Sequence, residues 1–131
     1  MQDEEMKAFL VKNWIEKAEE AHKATIKAIE INELAMAQNR LYYAIFYTVS
    51  ALAQRRGFIT SKHGQLLGWF NKEFIKTGII NRETGRIYRK AFDLRQKSDY
   101  EITFKPNKEE LENMIKDSRE FIEEIKNILI F

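Results

Sequence analysis

Two arginines, one histidine and one aspartate are the residues of this sequence best suited to chemistry on a charged ligand. Arg40 follows Asn39 at the start of a strongly apolar stretch, Arg95 precedes Asp99 by four positions, and His63 lies between these two motifs. A guanidinium binds phosphate and carboxylate oxygens, and an imidazole titrates near neutral pH. The set therefore indicates either a site for an anionic ligand or acid–base chemistry on one.

The arginine at position 40 needs an acceptor, because residues 39–53 are otherwise almost all apolar or aromatic. A cation carried into packed surroundings is stable only beside a carboxylate or an acceptor cluster. We predict that the Asp99 carboxylate accepts a hydrogen bond from Arg40 or Arg95. The expected result is a polar pocket of Asn39, Arg40, Arg95 and Asp99, and an alternative is a purely structural link between two helices.

His63 and the aromatic residues each allow two interpretations. His63 falls in the first turn of a predicted helix, where the helix dipole disfavours its protonated form, so it is either a structural or capping residue or a catalytic one. Tyr43 and Phe46 share one row of a predicted helix with Asn39. Such aromatic residues either fill the core or form a platform on which nucleobases stack.

The composition predicts an all-α protein with a single domain spanning residues 1–131. The chain has 131 residues, 44% of them hydrophobic, with one proline and five glycines. It lacks cysteine, which excludes disulfides and zinc–thiolate sites, and no histidine has a partner at metal-ligand spacing, so no metal or cofactor is expected. Its apolar runs are too short to cross a bilayer, which favours a cytoplasmic protein. Frequent Lys, Glu and Ile lean toward a thermophile source.

The basic residues are concentrated in the middle of the chain. Residues 54–99 carry eleven basic and four acidic side chains, whereas the segments before and after are net acidic, and the whole chain has a net charge of +2. If these side chains share a face, they would attract phosphates or an acidic protein surface. If they are spread over two helices, they are ordinary solvated charges.

Hydrophobic periodicity predicts an up-and-down bundle of four to five antiparallel helices. Gly57 is predicted to cap the second helix, Thr60 or Ser61 to begin the third, and Asn107 to cap the last. The apolar residues 128–131 are expected to pack on a neighbouring helix or a second subunit. The predicted helices span residues 3–31, 34–56, 62–76, 82–97 and about 108 to the C-terminus.

In order and spacing, Asn39-Arg40-x-Tyr42-Tyr43-Ala44-x-Phe46, His63, Phe74-x-Lys76-Thr77-Gly78 and Arg95-x-x-x-Asp99-Tyr100 resemble the HEPN domain family. The similarity is greatest to small single-domain prokaryotic members and covers nearly the whole chain. The resemblance implies a helical bundle that forms a homodimer. It also implies a toxin–antitoxin pair in which the partner is a minimal nucleotidyltransferase.

The nuclease members of this family carry an arginine and a histidine separated by four to six residues, and they cut RNA without a metal. Arg95 matches that arginine, but Asp99 and Tyr100 follow it, and no histidine occurs after His63. An aspartate rarely holds a proton to donate at neutral pH, and a tyrosine rarely releases one. The chain therefore lacks the usual catalytic histidine.

Three functions follow from this resemblance and its departure. The first, which we favour, is a module that binds a nucleotide or a protein partner in the pocket of Asn39, Arg40, Tyr43, His63, Arg95 and Asp99. The second is a metal-independent RNase toxin in which Arg95 acts with Asp99, Tyr100 or a spatially close His63. The third is a substrate of AMP transfer, modified at Tyr100 by the paired nucleotidyltransferase.

Overall fold

The computed structural model of the protein describes residues 2–129, and within that range it contains five α-helices and no strand. The predicted all-α class is therefore confirmed. A π-helical segment, Asn71–Ile75, continues the third helix without a break. The helices are α1 (Gln2–Glu30), α2 (Leu34–Arg56), α3 (His63–Phe70), α4 (Arg82–Tyr100) and α5 (Lys108–Leu129).

Helix α2 lies at the centre of the bundle and packs against each of the other four helices. Its residues Leu41, Tyr42 and Ile45 are fully buried in the main hydrophobic cluster. A helix with apolar residues on most of its faces is stable only when other helices surround it. The other helices do not cover α2 completely, however, because Tyr43 and Phe46 are only partly buried and form part of the protein surface.

Local sequence signals account for most of the helix ends. Gly57 follows α2 with a φ of 78°, in the left-handed region that glycine adopts without strain. The Asn81 side chain accepts a hydrogen bond from the backbone N–H of Glu83, and Asn107 accepts one from Glu110, at 2.7 and 2.9 Å. Each asparagine thus satisfies an N–H group that the first turn of a helix leaves free.

The structure differs from the prediction at α3 and at the end of α4. The predicted helix 62–76 is divided between α3 and the wider π turn. Neither Thr60 nor Ser61 is its N-cap residue; Lys62 occupies that position without a side-chain cap, while the Thr60 hydroxyl accepts from the Lys62 N–H at 3.1 Å. Helix α4 continues to Tyr100, so Asp99 lies on its last turn.

An ion network joins α1 to α5. Arg119 contacts the Glu19 carboxylate through both terminal nitrogens, at 2.6 and 3.2 Å, and also contacts Glu123 at 2.8 Å. Lys126 lies 2.9 Å from Glu19. The buried His22 accepts from Arg119 at Nδ1, 3.1 Å away, which links the network to the core.

The apolar C-terminus packs on the bundle as far as it is described. Leu129 is buried and Ile128 lies against the main cluster. Ile130 and Phe131, on which the prediction of packing also fell, lie outside the described residues. None of the helices found in residues 2–129 is long and apolar enough to span a membrane.

Candidate phosphate-binding site

Three helices bring Arg95, His63 and two tyrosines together beside the middle of the central helix. Arg95 extends from α4, His63 is the first residue of α3, and Tyr42 and Tyr43 lie on α2. Arg95, His63 and Tyr43 are half-exposed, whereas Tyr42 is buried. The candidate site is thus a shallow surface with one wall formed by the core.

His63 is held by two hydrogen bonds and by ring stacking. Its Nδ1 atom lies 2.8 Å from the Tyr42 hydroxyl oxygen and 3.1 Å from Nη1 of Arg95. Its ring stacks on Phe46, with 4.2 Å between centroids and 22° between planes. These contacts fix both the position of the imidazole and the direction in which each nitrogen points.

The contact with Arg95 determines the protonation state of His63. A guanidinium can only donate, so Nδ1 must accept, and the neutral imidazole then carries its hydrogen on Nε2. Burial and the charge of Arg95 both lower the pKa of His63 from its ordinary value. Burial also raises the pKa of Tyr42 to about 12, although Arg95 opposes the rise, so the Tyr42 hydroxyl keeps its proton and donates it to Nδ1.

Arg95 is a half-buried cation with aromatic rather than acidic neighbours. Its guanidinium carbon lies 5.0 Å from the ring centroid of Tyr42 and 5.6 Å from that of Tyr43. No carboxylate within residues 2–129 comes within 4.0 Å of it. Cation–π contacts stabilise the guanidinium in place but leave its charge unneutralised. Such a cation is available to an anion from outside.

The predicted pairing of Asp99 with Arg40 or Arg95 is wrong. Asp99 is exposed, and in the part of the chain that the structure describes it forms no ion pair with either arginine. Side chains on a helix lean toward its N-terminus, so Arg95 reaches back over Tyr42 and away from Asp99. Arg40 instead donates to the Asn39 amide oxygen at 3.0 and 3.2 Å.

The other predicted site residues are divided between two places. Arg40 stacks over Tyr43, with 5.2 Å from guanidinium carbon to ring centroid, so Asn39 and Arg40 border the same surface as Arg95. Tyr100, the last residue of α4, is 84% exposed. No hydrogen bond or aromatic contact among the described residues connects Tyr100 to His63 or Arg95.

Sequence reasoning missed two residues that shape the site. Tyr42 was named only as part of the motif and not as a site residue, yet its hydroxyl orients His63. Gln38 is buried, and its side-chain amide donates to the Leu94 carbonyl at 3.1 Å and to the Ser98 hydroxyl. It thereby ties α2 to the turns of α4 on either side of Arg95. A glutamine one turn before Tyr42 within an apolar helix was the only available signal.

The arrangement can bind a phosphate more readily than it can transfer protons. Arg95 retains N–H groups that no carboxylate of the described chain occupies, and Nε2 of His63 carries a hydrogen, has no hydrogen-bond partner within residues 2–129 and is not among their buried unpartnered atoms. Both groups donate to phosphate oxygens. In this state, however, the only lone pair of His63 is occupied by its two donors, so the imidazole is not a free base.

Comparison with known proteins identifies relatives over most of the chain. A family profile described as the HEPN domain matches residues 11–128. A UPF0332 protein of Thermotoga maritima is 33% identical over 120 residues, covering 92% of this chain and 91% of its own length. Two Methanocaldococcus jannaschii proteins, each named "Putative toxin", are 34% and 36% identical; both matches cover 88% of this chain, and they cover 79% and 85% of the relatives.

Proposed function

The chain belongs to the HEPN domain family, and on that premise we propose that it acts as the toxin-like half of a toxin–antitoxin pair. We propose further that it binds the phosphate of a nucleotide or of single-stranded RNA at Arg95 and His63. The names of the two Methanocaldococcus jannaschii relatives support the first part. The unneutralised guanidinium of Arg95 beside a neutral, N–H-donating His63 supports the second, and it is the observation on which this proposal depends.

The binding proposal is tested with two probes that separate its two ligand sources. ATP and a fluorescent diuridylate are titrated into the purified protein, and the Arg95→Ala and Arg82→Ala variants are compared. Arg82 is an exposed arginine on the same helix with no carboxylate within 4.0 Å in the described chain, which makes it a matched control. Charge-assisted hydrogen bonds contribute about 1.5–3 kcal/mol, so Arg95→Ala should weaken binding by about tenfold or more.

The proposed phosphate-binding site would be refuted if the Arg95→Ala variant bound both probes as tightly as the Arg82→Ala variant. Binding of ATP alone would assign the site to mononucleotides, and binding of diuridylate alone would assign it to RNA. Circular dichroism of each variant shows whether the fold is retained. A His63→Ala variant should weaken binding less than Arg95→Ala, because it removes a neutral donor rather than a charge.

A second candidate is the metal-independent RNase, and the contact between His63 and Arg95 favours it. The family's downstream histidine is absent from the sequence, but His63 occupies a place beside the arginine through the fold. Catalysis by proton transfer would require Nδ1 to be released, for instance when a bound phosphate draws Arg95 away. Cleavage of single-stranded RNA in EDTA that is lost in His63→Ala would support this function, and the absence of cleavage by the wild type would exclude it.

We also propose that the partner is a minimal nucleotidyltransferase and that it transfers AMP to Tyr100. The Tyr100 side chain is exposed at the end of α4, so a second enzyme could reach its hydroxyl. Co-expression with a minimal nucleotidyltransferase, followed by intact mass measurement, tests it. An added AMP that disappears in Tyr100→Phe supports modification, and an unchanged mass contradicts it. Light scattering of the pure protein tests the homodimer that we also propose.

A further inference from the structure

A row of half-buried aromatic rings leads away from the Arg95–His63 site along α2 and onto α1. We call Tyr43, Tyr47 and Trp14 the aromatic row. Tyr43 lies edge-on to His63 with 6.0 Å between centroids, Tyr47 lies 5.5 Å from Tyr43, and Trp14 of α1 lies 5.8 Å from Tyr47. All three residues are partly accessible to solvent. The row therefore continues the candidate site across the surface instead of ending in the core.

Cations accompany the aromatic row along its whole length. Nζ of Lys17 lies 5.3 Å from the ring centroid of Tyr47 and 5.9 Å from that of Trp14, while Arg40 lies over Tyr43. None of Lys17, Arg40 and Arg95 has a carboxylate within 4.0 Å in residues 2–129. The basic residues of the described chain that contact carboxylates are Lys7, Arg86, Arg89, Lys90, Arg119 and Lys126.

This alternation of ring and unneutralised cation has the properties of a surface for a flexible polyanion. Every nucleobase has a π-face that stacks on an aromatic side chain, and each backbone phosphate attracts a cation. A duplex hides its base faces inside the helix, so only a single strand can use both sets of contacts. The Trp14 Nε1–H donates to Gln54 at 3.4 Å, which holds the indole in position between α1 and α2.

We propose that a single-stranded nucleic acid extends from the Arg95–His63 site along the aromatic row, with its bases against Tyr43, Tyr47 and Trp14. Successive phosphates then lie near Arg95, Arg40 and Lys17. This inference rests on the proposed function for the first phosphate and adds a longer binding surface to it. It assigns a binding role to Lys17 and Trp14, which are distant in sequence from every motif of the candidate site.

Binding of fluorescent octauridylate and diuridylate at 50 and 200 mM NaCl tests the row. Lys17→Gln should weaken octauridylate binding several-fold and reduce the slope of log K against log salt by about 0.7, the value for one phosphate contact on a single strand. It should leave diuridylate binding unchanged. Tyr47→Leu should weaken octauridylate binding about fivefold or more through the lost stacking. Lys12→Gln is the matched control, since Lys12 is an exposed lysine of α1 outside the row.

The outcomes separate this inference from the proposed function. The binding role of the aromatic row would be refuted if the wild type bound the two probes equally well. It would also be refuted if Lys17→Gln and Lys12→Gln behaved identically, and neither result would contradict the phosphate site. Octauridylate binding that depends on Lys17 and Tyr47 but not on Arg95 would instead support the row and refute the phosphate site. If Tyr47→Leu changed the subunit number in light scattering without changing octauridylate binding, the row would be a subunit contact, and the inference would be wrong.

Discussion

Replacing Glu19 by glutamine removes the carboxylate at the centre of the ion network between α1 and α5. Hydrogen bonds from Arg119, together with those from Lys126, lower the pKa of the Glu19 carboxyl from 4.5 to about 2, against an opposing effect of burial. A shift of this size corresponds to about 3 kcal/mol. Because about a third of the Glu19 side chain is exposed, solvent screening reduces the expected loss of unfolding free energy to about 1–2 kcal/mol.

The pH dependence gives this prediction a second, independent test. A carboxyl whose pKa is lower in the folded state contributes stability above its unfolded pKa and loses that contribution as the pH falls toward the folded value. The difference between wild type and Glu19→Gln should therefore be full at pH 7 and should shrink between about pH 4.5 and 2. Urea denaturation at several pH values, followed by circular dichroism, measures it.

Glu120→Gln is the matched control, because Glu120 is an exposed residue of α5 with no cation within 4.0 Å in the described chain. Its substitution should change the free energy of unfolding by no more than about 0.5 kcal/mol. The reasoning would be refuted if Glu19→Gln matched this control at pH 7. It would also be refuted if the Glu19→Gln difference persisted undiminished at pH 2.

Three further predictions concern the core, the backbone and the histidines. Phe121→Ala should lower the unfolding free energy by about 3–5 kcal/mol in urea titrations, because the ring is fully buried. Gly57→Ala should destabilise by about 1–2 kcal/mol since it forces a left-handed φ of 78° on alanine, whereas Gly68→Ala, in α3 with open space around it, should stabilise by up to about 1 kcal/mol. Burial lowers the pKa of both His22 and His63, so the unfolded chain binds more protons below about pH 6.5, and the thermal midpoint should fall between pH 7 and 5.

The sequence alone predicted the helix ends that depend only on neighbouring residues. Helix α2 begins and ends where its periodicity and Gly57 predicted, and Asn107 caps α5, because these features depend on neighbouring residues alone. The end of α3 was not predictable in the same way. Its π segment has the same helical character in sequence as an α-helix, and only packing distinguishes the two.

The candidate site was predictable in its members but not in its contacts. Arg95 and His63 were both singled out, yet their 3.1 Å contact depends on how α3 is placed against α4, which no spacing in the sequence reveals. The pairing of Asp99 failed for a different reason: sequence proximity on a helix says little about where a long side chain ends. The buried hydroxyl of Tyr42 orients His63 from a position that sequence patterns assign to the core.

The position of His63 at the very start of α3 has a consequence for dynamics. The end of α3 is anchored by the fully buried Phe70, but its beginning has no side-chain cap on Lys62. Uncapped helix ends fray before the rest of a protein opens. The contacts of the imidazole with Tyr42, Arg95 and Phe46 are therefore what hold this first turn on the bundle, and amide hydrogens near Gln65 should exchange faster than that of Phe70.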